Sequence, residues 1–232
     1  MNLEKITCQQ VENKFAELQS FFGDLESISN NLDIERVRDL KQKFLETRQE
    51  VYLLLFDPEK IKEIFTDILK NAVNDDWGDE ETIEGWVEKN VKIDAEEREI
   101  FIEKNLNLKR SNFEGFPCDI IVMSDLNLSY TPIKQLPGHV YVGGDFLIDN
   151  TNINEIPNQT KVGGGFYMRN TPIKKLPHNL EIDGSFTLHG SPVTELPDGL
   201  SVGGDIFVDR SLKEEAEKAS ADTRVKGKVF ST

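Results

Sequence analysis

The spacing of apolar residues in the first part of the chain predicts amphipathic helices. Apolar side chains recur every three or four residues over positions 11–28 and again over 34–56, the period of one buried helix face. Pro58 interrupts this pattern, and a third helix is predicted to begin there with Asp57 as its cap. Shorter helices are predicted around 82–91 and 95–104. Short connections between the long helices favour an antiparallel helical bundle over residues 1–105.

From residue 106 the helical period is replaced by a 20-residue block that occurs five times, followed by a partial sixth. Residues 126–145 read LNLSYTPIKQLPGHVYVGGD, and residues 166–185 read FYMRNTPIKKLPHNLEIDGS. This regular spacing predicts a solenoid with one coil per block. The positions that recur at this spacing are Pro117, Pro137, Pro157, Pro177 and Pro197, together with Ser111, Thr131, Thr151, Thr171, Ser191 and Ser211.

Each part of the block has a predicted place in the coil. The opening apolar, variable, apolar pattern predicts a short strand, and stacking these strands predicts a parallel ladder with its apolar side inward. The hydroxyl residue that follows is expected to bond backbone groups where the chain leaves the strand. The proline holds an extended return, and the glycines near the end of the block permit a tight corner.

The predicted architecture is therefore α+β with three parts. An acidic helical domain over residues 1–105 precedes a parallel-β solenoid over 106–211. Residues 212–232 are expected to close the solenoid, with an amphipathic capping helix over 212–221 and a strand over 225–230.

The consensus LxLxxTPIxxLPxxLxVGGD resembles a short bacterial leucine-rich repeat, with Thr where that family usually has Asn. It is similar to the 20-residue repeats of bacterial effector proteins and of repeat proteins in bacterial and phage genomes. The similarity covers residues 106–232. The resemblance implies a binding scaffold and identifies no partner.

The outward side chains of the predicted ladder form two columns, which we expect to line the concave face of the solenoid. Apolar and aromatic side chains beside charged ones, on a face that solvent should wet, are the composition favoured at protein interfaces. In the alternative interpretation these side chains cover one another, or pack against a second copy or the helical half. The predicted partner-binding residues are Leu147, Asp149, Tyr167, Arg169, His189 and Phe207.

Charge suggests a rival surface. The chain carries 42 acidic and 27 basic side chains, a formal net charge of −15, so direct binding to nucleic acid or to an anionic membrane is not expected. Residues 1–105 hold 26 of the acids and 14 of the bases. This half is predicted either to be an ordinary solvated surface or to imitate nucleic-acid phosphates in the basic groove of a DNA- or RNA-binding protein. The acidic surface would comprise Asp79, Glu80, Glu81, Glu84, Glu96 and Glu97.

Candidate chemistry is sparse. The sequence has no GxxxxGK[ST], HExxH or GxSxG motif, and its three histidines occupy different positions of the repeat, so no catalytic residue, cofactor or metal site is predicted. Cys8 and Cys118 are expected to be reduced thiols. Since there is no signal-peptide pattern and no run of 18 apolar residues, we expect a cytoplasmic protein, in the host cytoplasm if the source is viral.

These observations favour a non-catalytic protein-binding module, a bacterial or phage effector or inhibitor that blocks a host or rival protein, expected to be a protein of the bacterial host. Nucleic-acid mimicry through the acidic helices is the first alternative, and it predicts an affinity that falls steeply with salt. Self-association of the repeats into a homo-oligomer is the second, and it predicts that changes on the solenoid face alter the mass of the particle.

Overall fold

A computed structural model describes residues 57–73, 82–221 and 224–231. The chain divides into two compact units, Met1–Pro58 and Glu59–Thr232. Two of the helices of the bundle predicted over residues 1–105, those over 11–28 and 34–56, lie outside the described residues. The described part of that range holds two helices followed by a pair of strands, so the predicted bundle is not supported. In the second unit, the parallel-β solenoid predicted from the repeat is confirmed.

The solenoid consists of two seven-stranded sheets. The first sheet contains β1 (Val91–Asp94), β2 (Glu99–Ile102), β4 (Asp119–Val122), β6 (His139–Val142), β8 (Gln159–Val162), β10 (Glu181–Ile182) and β12 (Ser201–Val202). The second sheet contains β3 (Leu106–Asn107), β5 (Leu126–Asn127), β7 (Phe146–Leu147), β9 (Phe166–Tyr167), β11 (Phe186–Thr187), β13 (Ile206–Val208) and β14 (Val229–Ser231). The sequence predicted the second sheet only. The apolar residues before the glycines, predicted to lead into a corner, form strands of the first sheet, four residues long in β4, β6 and β8 and two residues long in β10 and β12.

Successive coils pair in the register of the repeat. Leu126 lies opposite Phe146 in the second sheet, and Val142 lies opposite Val162 in the first. Described pairs within the two sheets are parallel except β1 with β2, where Val91 faces Ile102 in an antiparallel hairpin. Each coil places apolar residues at the same inward positions as the coil before it. Stacked columns of apolar side chains therefore fill the space between the two sheets.

Aromatic rings and hydroxyl groups both stack in the core. The rings of Phe146 and Phe166 lie 5.0 Å apart at 3°, and those of Phe166 and Phe186 lie 5.6 Å apart at 15°. The Thr131 and Thr151 hydroxyls, both buried, donate to the carbonyl oxygens three residues earlier at 2.7 and 2.9 Å. The predicted role of this column in satisfying buried backbone groups is thus present in these coils.

From the second block onward, glycine occupies the second corner position, where the backbones of successive coils approach closely. A Cβ atom on Gly184 would lie 2.5 Å from the carbonyl carbon of Gly164, well inside van der Waals contact. Positive φ has a different place in the coil, immediately before the hydroxyl residue. Tyr130, Asn150 and Asn170 occupy it with φ of 63°, 56° and 53°. This left-handed column was not predicted from the sequence.

The described part of the chain contains three α-helices, α1 (Pro58–Ala72), α2 (Ile83–Asn90) and α3 (Lys213–Ala221), and a 3₁₀ helix, Arg210–Leu212, directly before α3. The first begins at Pro58, as its fixed φ predicts. The second coincides with the helix predicted over 82–91, and the Thr82 hydroxyl caps it by accepting a hydrogen bond from the Gly85 N–H at 3.2 Å. The predicted stripe of α1 is buried at Ile61, Phe65, Leu69 and Ala72 and half-buried at Ile64 and Ile68.

The helix predicted over 95–104 is wrong, because these residues belong to the β1–β2 hairpin. The Asp94 carboxylate accepts from the N–H groups of Glu96 and Glu97 at 2.9 and 3.0 Å, as a helix cap would. Arg98 then adopts a φ of 61°, which reverses the chain. The following residues alternate between buried and half-buried, the period of a strand.

Each end of the solenoid core is closed by a different element. At the start, helix α1 covers the core: the ring centroids of Phe65 and Phe116 lie 6.2 Å apart in a stacked arrangement. The Phe116 ring in turn packs edge-on against Phe113, with the centroids 4.7 Å apart. The Asn112 N–H donates a hydrogen bond to the Ala72 carbonyl at 2.9 Å. At the other end β14 pairs with β13, while α3 buries two alanines. The elements predicted over 212–221 and 225–230 are present there, with the strand confined to the segment Val229–Ser231.

Candidate protein-binding surfaces

The second sheet aligns large side chains on its outer face. Its strands contribute alternating residues, so that Phe146 points inward and Leu147 outward. The register then places Leu147, Tyr167, Thr187 and Phe207 side by side. Leu147, Tyr167 and Phe207 are half-buried, whereas Thr187 is only 1% exposed between two aromatic neighbours. We call this row, with Phe230 at its end, the aromatic row.

Phe230 extends the aromatic row in a way that the sequence analysis missed. It pairs with Phe207 across β13 and β14, and the two rings stack at 4.8 Å and 10°. Phe230 is 43% exposed, which is unusual for a phenylalanine. The sequence did predict a closing strand that contains Phe230. It did not show which strand this one pairs with or in which register, so Phe230 could not be placed beside Phe207.

Tyr167 occupies a partly enclosed position in this row. Its ring folds back towards Gly165, and a Cβ atom there would lie 2.6 Å from the phenol oxygen. Burial raises the pKa of Tyr167 above its ordinary value, and the nearby carboxylates of Asp145 and Asp149 add to the rise while Arg169 opposes it. The phenol is therefore neutral at physiological pH, with its hydroxyl group able to donate a hydrogen bond.

The second predicted column lies beside the aromatic row but serves partly to join coils. The Asp149 carboxylate accepts from the Arg169 backbone N–H at 2.7 Å, and the Asp209 carboxylate accepts from Gly190 N–H at 3.1 Å and contacts the His189 ring. The side chains of Arg169 and His189 are exposed. All six predicted residues thus lie on one face, and the two basic side chains are its most accessible polar members.

The outer face of the first sheet carries a second apolar row that the sequence analysis missed. Phe101, Ile121 and Tyr141 are in register and half-buried. Beside them the His139 ring contacts the Glu99 carboxylate, and its backbone N–H donates to Asp119 at 2.9 Å. The sequence signal for this row was the presence of apolar residues at the outward positions of the strand segments DIIV and HVYV.

The described members of the predicted acidic surface lie on two different elements. Glu84 lies on α2 and pairs with Lys70 of α1 at 2.6 Å, a contact that lowers the pKa of Glu84. Glu96 and Glu97 lie on the turn of the β1–β2 hairpin and are exposed. The remaining three, Asp79, Glu80 and Glu81, lie outside the described residues.

The corner carboxylates bond the backbone of the next coil. Asp145 accepts from the Gly165 N–H at 2.6 Å, and Asp205 accepts from the Lys228 N–H at 2.8 Å. Across residues 57–73, 82–221 and 224–231, no group of three or more His, Cys, Asp and Glu side chains is placed to hold a metal ion. Burial and the neighbouring Asp119 raise the pKa of the Cys118 thiol to about 12.

The fold defines a parallel β-solenoid in which each coil corresponds to one block of the sequence repeat. No protein-family model, curated protein or solved structure matches the chain. In the part of the chain that the structure describes, no helix has the length and apolar character needed to cross a membrane.

Proposed function

We propose that the protein is a non-catalytic protein-binding module, a bacterial or phage effector or inhibitor that blocks a host or rival protein through the outer face of the second sheet. The aromatic row carries this proposal. Leu147, Tyr167 and Phe207 are held in fixed register and remain partly exposed, beside the accessible side chains of Arg169 and His189. Aromatic and arginine side chains on a rigid scaffold are the residues that dominate binding energy at protein interfaces.

The repeat is proposed to be of the leucine-rich kind. Support comes from the strand with apolar first and third residues, the hydroxyl residue after it and the apolar residue followed by proline in each block. The inner coils differ from larger leucine-rich repeats in contributing a second short strand where those place a helix or 3₁₀ turn. The proposed compartment is the cytoplasm, of the host if the source is viral.

The test is affinity capture from bacterial lysate, with the bound protein identified by mass spectrometry and its affinity then measured with purified components. A variant carrying Tyr167→Ala and Arg169→Ala is compared with a control carrying Lys161→Ala and Glu181→Ala, exposed changes on the opposite sheet. We expect the control to retain the partner and the first variant to lose about tenfold or more in affinity, with weak salt dependence.

Two outcomes would replace this proposal with an alternative. If the Tyr167 and Arg169 variant keeps its partner, while Glu84→Gln, Glu96→Gln and Glu97→Gln abolish a salt-sensitive interaction, nucleic-acid mimicry by the acidic surface is favoured. If the same two changes on the second sheet alter the mass of the purified protein in sedimentation and no foreign protein is captured, self-association is favoured.

A further inference from the structure

A row of grooves runs along the side of the solenoid where the chain passes from the second sheet to the first. Each groove lies between the extended segments of two successive coils. The central groove, of about 630 Å³, lies between residues 154–158 and 172–178. The terminal groove, of about 360 Å³, lies between residues 175–178 and 195–198.

A carboxylate of this chain lines the terminal groove and bonds the backbone there. Glu215 in the first turn of α3 lines it, and the Glu215 carboxylate accepts a hydrogen bond from the Leu196 backbone N–H at 3.0 Å. Lys175 lines the same groove. The molecule therefore shows which chemical group this kind of groove accommodates.

The central groove has the corresponding donor without that acceptor. Ile156 occupies the same position of the block as Leu196, two coils earlier, and the coils pair in register throughout. The N–H of Ile156 therefore faces the next coil, as that of Leu196 faces α3. Ile156 is 3% exposed, and no backbone carbonyl among the described residues accepts a hydrogen bond from its N–H. An N–H group at such a position is a ready donor for an incoming acceptor.

The charge of the central groove matches an anion. Lys174 and Lys175 line it with exposed side chains, against the single carboxylate of Glu155. This local excess of positive charge occurs in a chain whose net charge is −15. A charge-assisted hydrogen bond from the backbone, with two ammonium groups nearby, is a favourable setting for a carboxylate.

We propose that the central groove binds a glutamate or aspartate side chain from an acidic peptide segment of a partner protein. The Ile156 N–H donates to the carboxylate, and Lys174 and Lys175 supply the opposing charge. The bound side chain takes the place that Glu215 has in the terminal groove. This site lies apart from the aromatic row, so its test is independent of the function proposed above.

The experiment is an NMR titration of the ¹⁵N-labelled full chain that follows the Ile156 amide. The probe is a synthetic peptide with the sequence of residues 210–221, RSLKEEAEKASA, which contains Glu215 in its own context. The control peptide has Gln in place of its three glutamates. We expect a saturable downfield shift of the Ile156 amide with the first peptide and none with the second.

Two lysine variants test the charges. Lys174→Ala combined with Lys175→Ala should weaken binding of the acidic peptide at least about fivefold, the loss of one moderate charge-assisted contact. Lys134→Ala is the matched control, since Lys134 holds the position of Lys174 two coils earlier and is also exposed. It should leave the affinity unchanged.

The proposal is overturned if the Ile156 amide does not move, or if it moves equally with the glutamine peptide. It is also overturned if the double lysine variant binds as well as the unmodified protein, or if Lys134→Ala weakens binding to the same extent. Each of these results would leave the proposal for the aromatic row unaffected.

Discussion

The Tyr167 ring lies over Gly165, two residues before it. A Cβ atom on Gly165 would come within 2.6 Å of the phenol oxygen and 2.7 Å of a ring carbon. Neighbouring coils carry Asp145, Ser185 and Asp205 at the position of Gly165. The glycine therefore makes room for the one tyrosine in the aromatic row and fixes the ring against the sheet.

We expect Gly165→Ala to displace the Tyr167 ring at little cost to the fold. Only the far end of a flexible side chain has to move, so the free energy of unfolding should fall by less than about 1 kcal/mol. Since burial raises the pKa of Tyr167, a displaced and better solvated phenol should ionise at lower pH than in the unmodified protein. The measurement is an NMR pH titration with ¹³C-labelled tyrosine.

Gly115→Ala is the control for this change, because a Cβ atom on Gly115 meets no atom within 4 Å. It should leave the titration of Tyr167 as it is. An unchanged pKa of Tyr167 in the Gly165→Ala variant would show that the ring is not held by this contact.

Thr151→Val tests the hydroxyl column of the core. The buried Thr151 hydroxyl donates to the Ile148 carbonyl at 2.9 Å, and valine would leave that carbonyl with one bond fewer. We expect the free energy of unfolding in urea to fall by about 1–2 kcal/mol. The exposed Thr194→Val is the comparison and should change it by less than about 0.5 kcal/mol. Equal effects at the two positions would contradict the assigned role.

Tyr130→Asn should stabilise the protein. Tyr130 has a φ of 63° and is 49% exposed, and the next two coils have asparagine at this position. Asparagine tolerates this conformation better than tyrosine, and loss of the Arg110 contact with the ring at 5.3 Å offsets only part of the gain. We expect a net increase of about 0.5 kcal/mol in chemical denaturation.

Tyr130→Ala separates the two contributions to this effect. It removes the ring without relieving the left-handed backbone, so it should not stabilise the protein. If alanine and asparagine raised the stability equally, the backbone argument would be wrong.

Cys118 should react slowly with thiol reagents. With its pKa raised to about 12, the thiol is almost entirely protonated at pH 8, and the thiolate is the reactive form. In a Cys8→Ser background, which isolates this thiol, reaction with a disulfide reagent should be at least about tenfold slower in the folded chain than in urea. Asp119→Asn should raise the rate in the folded chain, because it removes a nearby negative charge that raises the pKa of the Cys118 thiol.

The repeat sequence predicted the coil because its spacing is independent of any tertiary detail. The hydroxyl column and the outward placement of Leu147 and Tyr167 followed from the period of a strand and from the constant length of the block. The first sheet was missed because its strands adjoin the glycines, and a short apolar pair before a glycine also fits a simple corner. The burial of Thr187 could not be predicted, since it depends on the two larger side chains beside it.

Outside the repeat, local signals were ambiguous. The Asp94 carboxylate makes the same two backbone bonds in the hairpin turn that it would make at the start of a helix. The capping pattern alone therefore does not distinguish a helix from a hairpin, and the residues after Asp94 determine which one forms. Their strand period and the left-handed Arg98 favoured the hairpin. The groove that faces Ile156 could not be predicted either, because it depends on how the extended segments of adjacent coils are spaced.

The uniform register of the coils has a consequence for how such a protein can change its length. Inner coils bond to their neighbours in the same way, while separate elements shield the two ends. Duplication of one block of the repeat should therefore insert a coil without altering either end, lengthening both sheets by about 4.8 Å. Each inserted coil would add one new outward residue to the aromatic row and one new groove, so recognition surfaces could be enlarged stepwise by duplication.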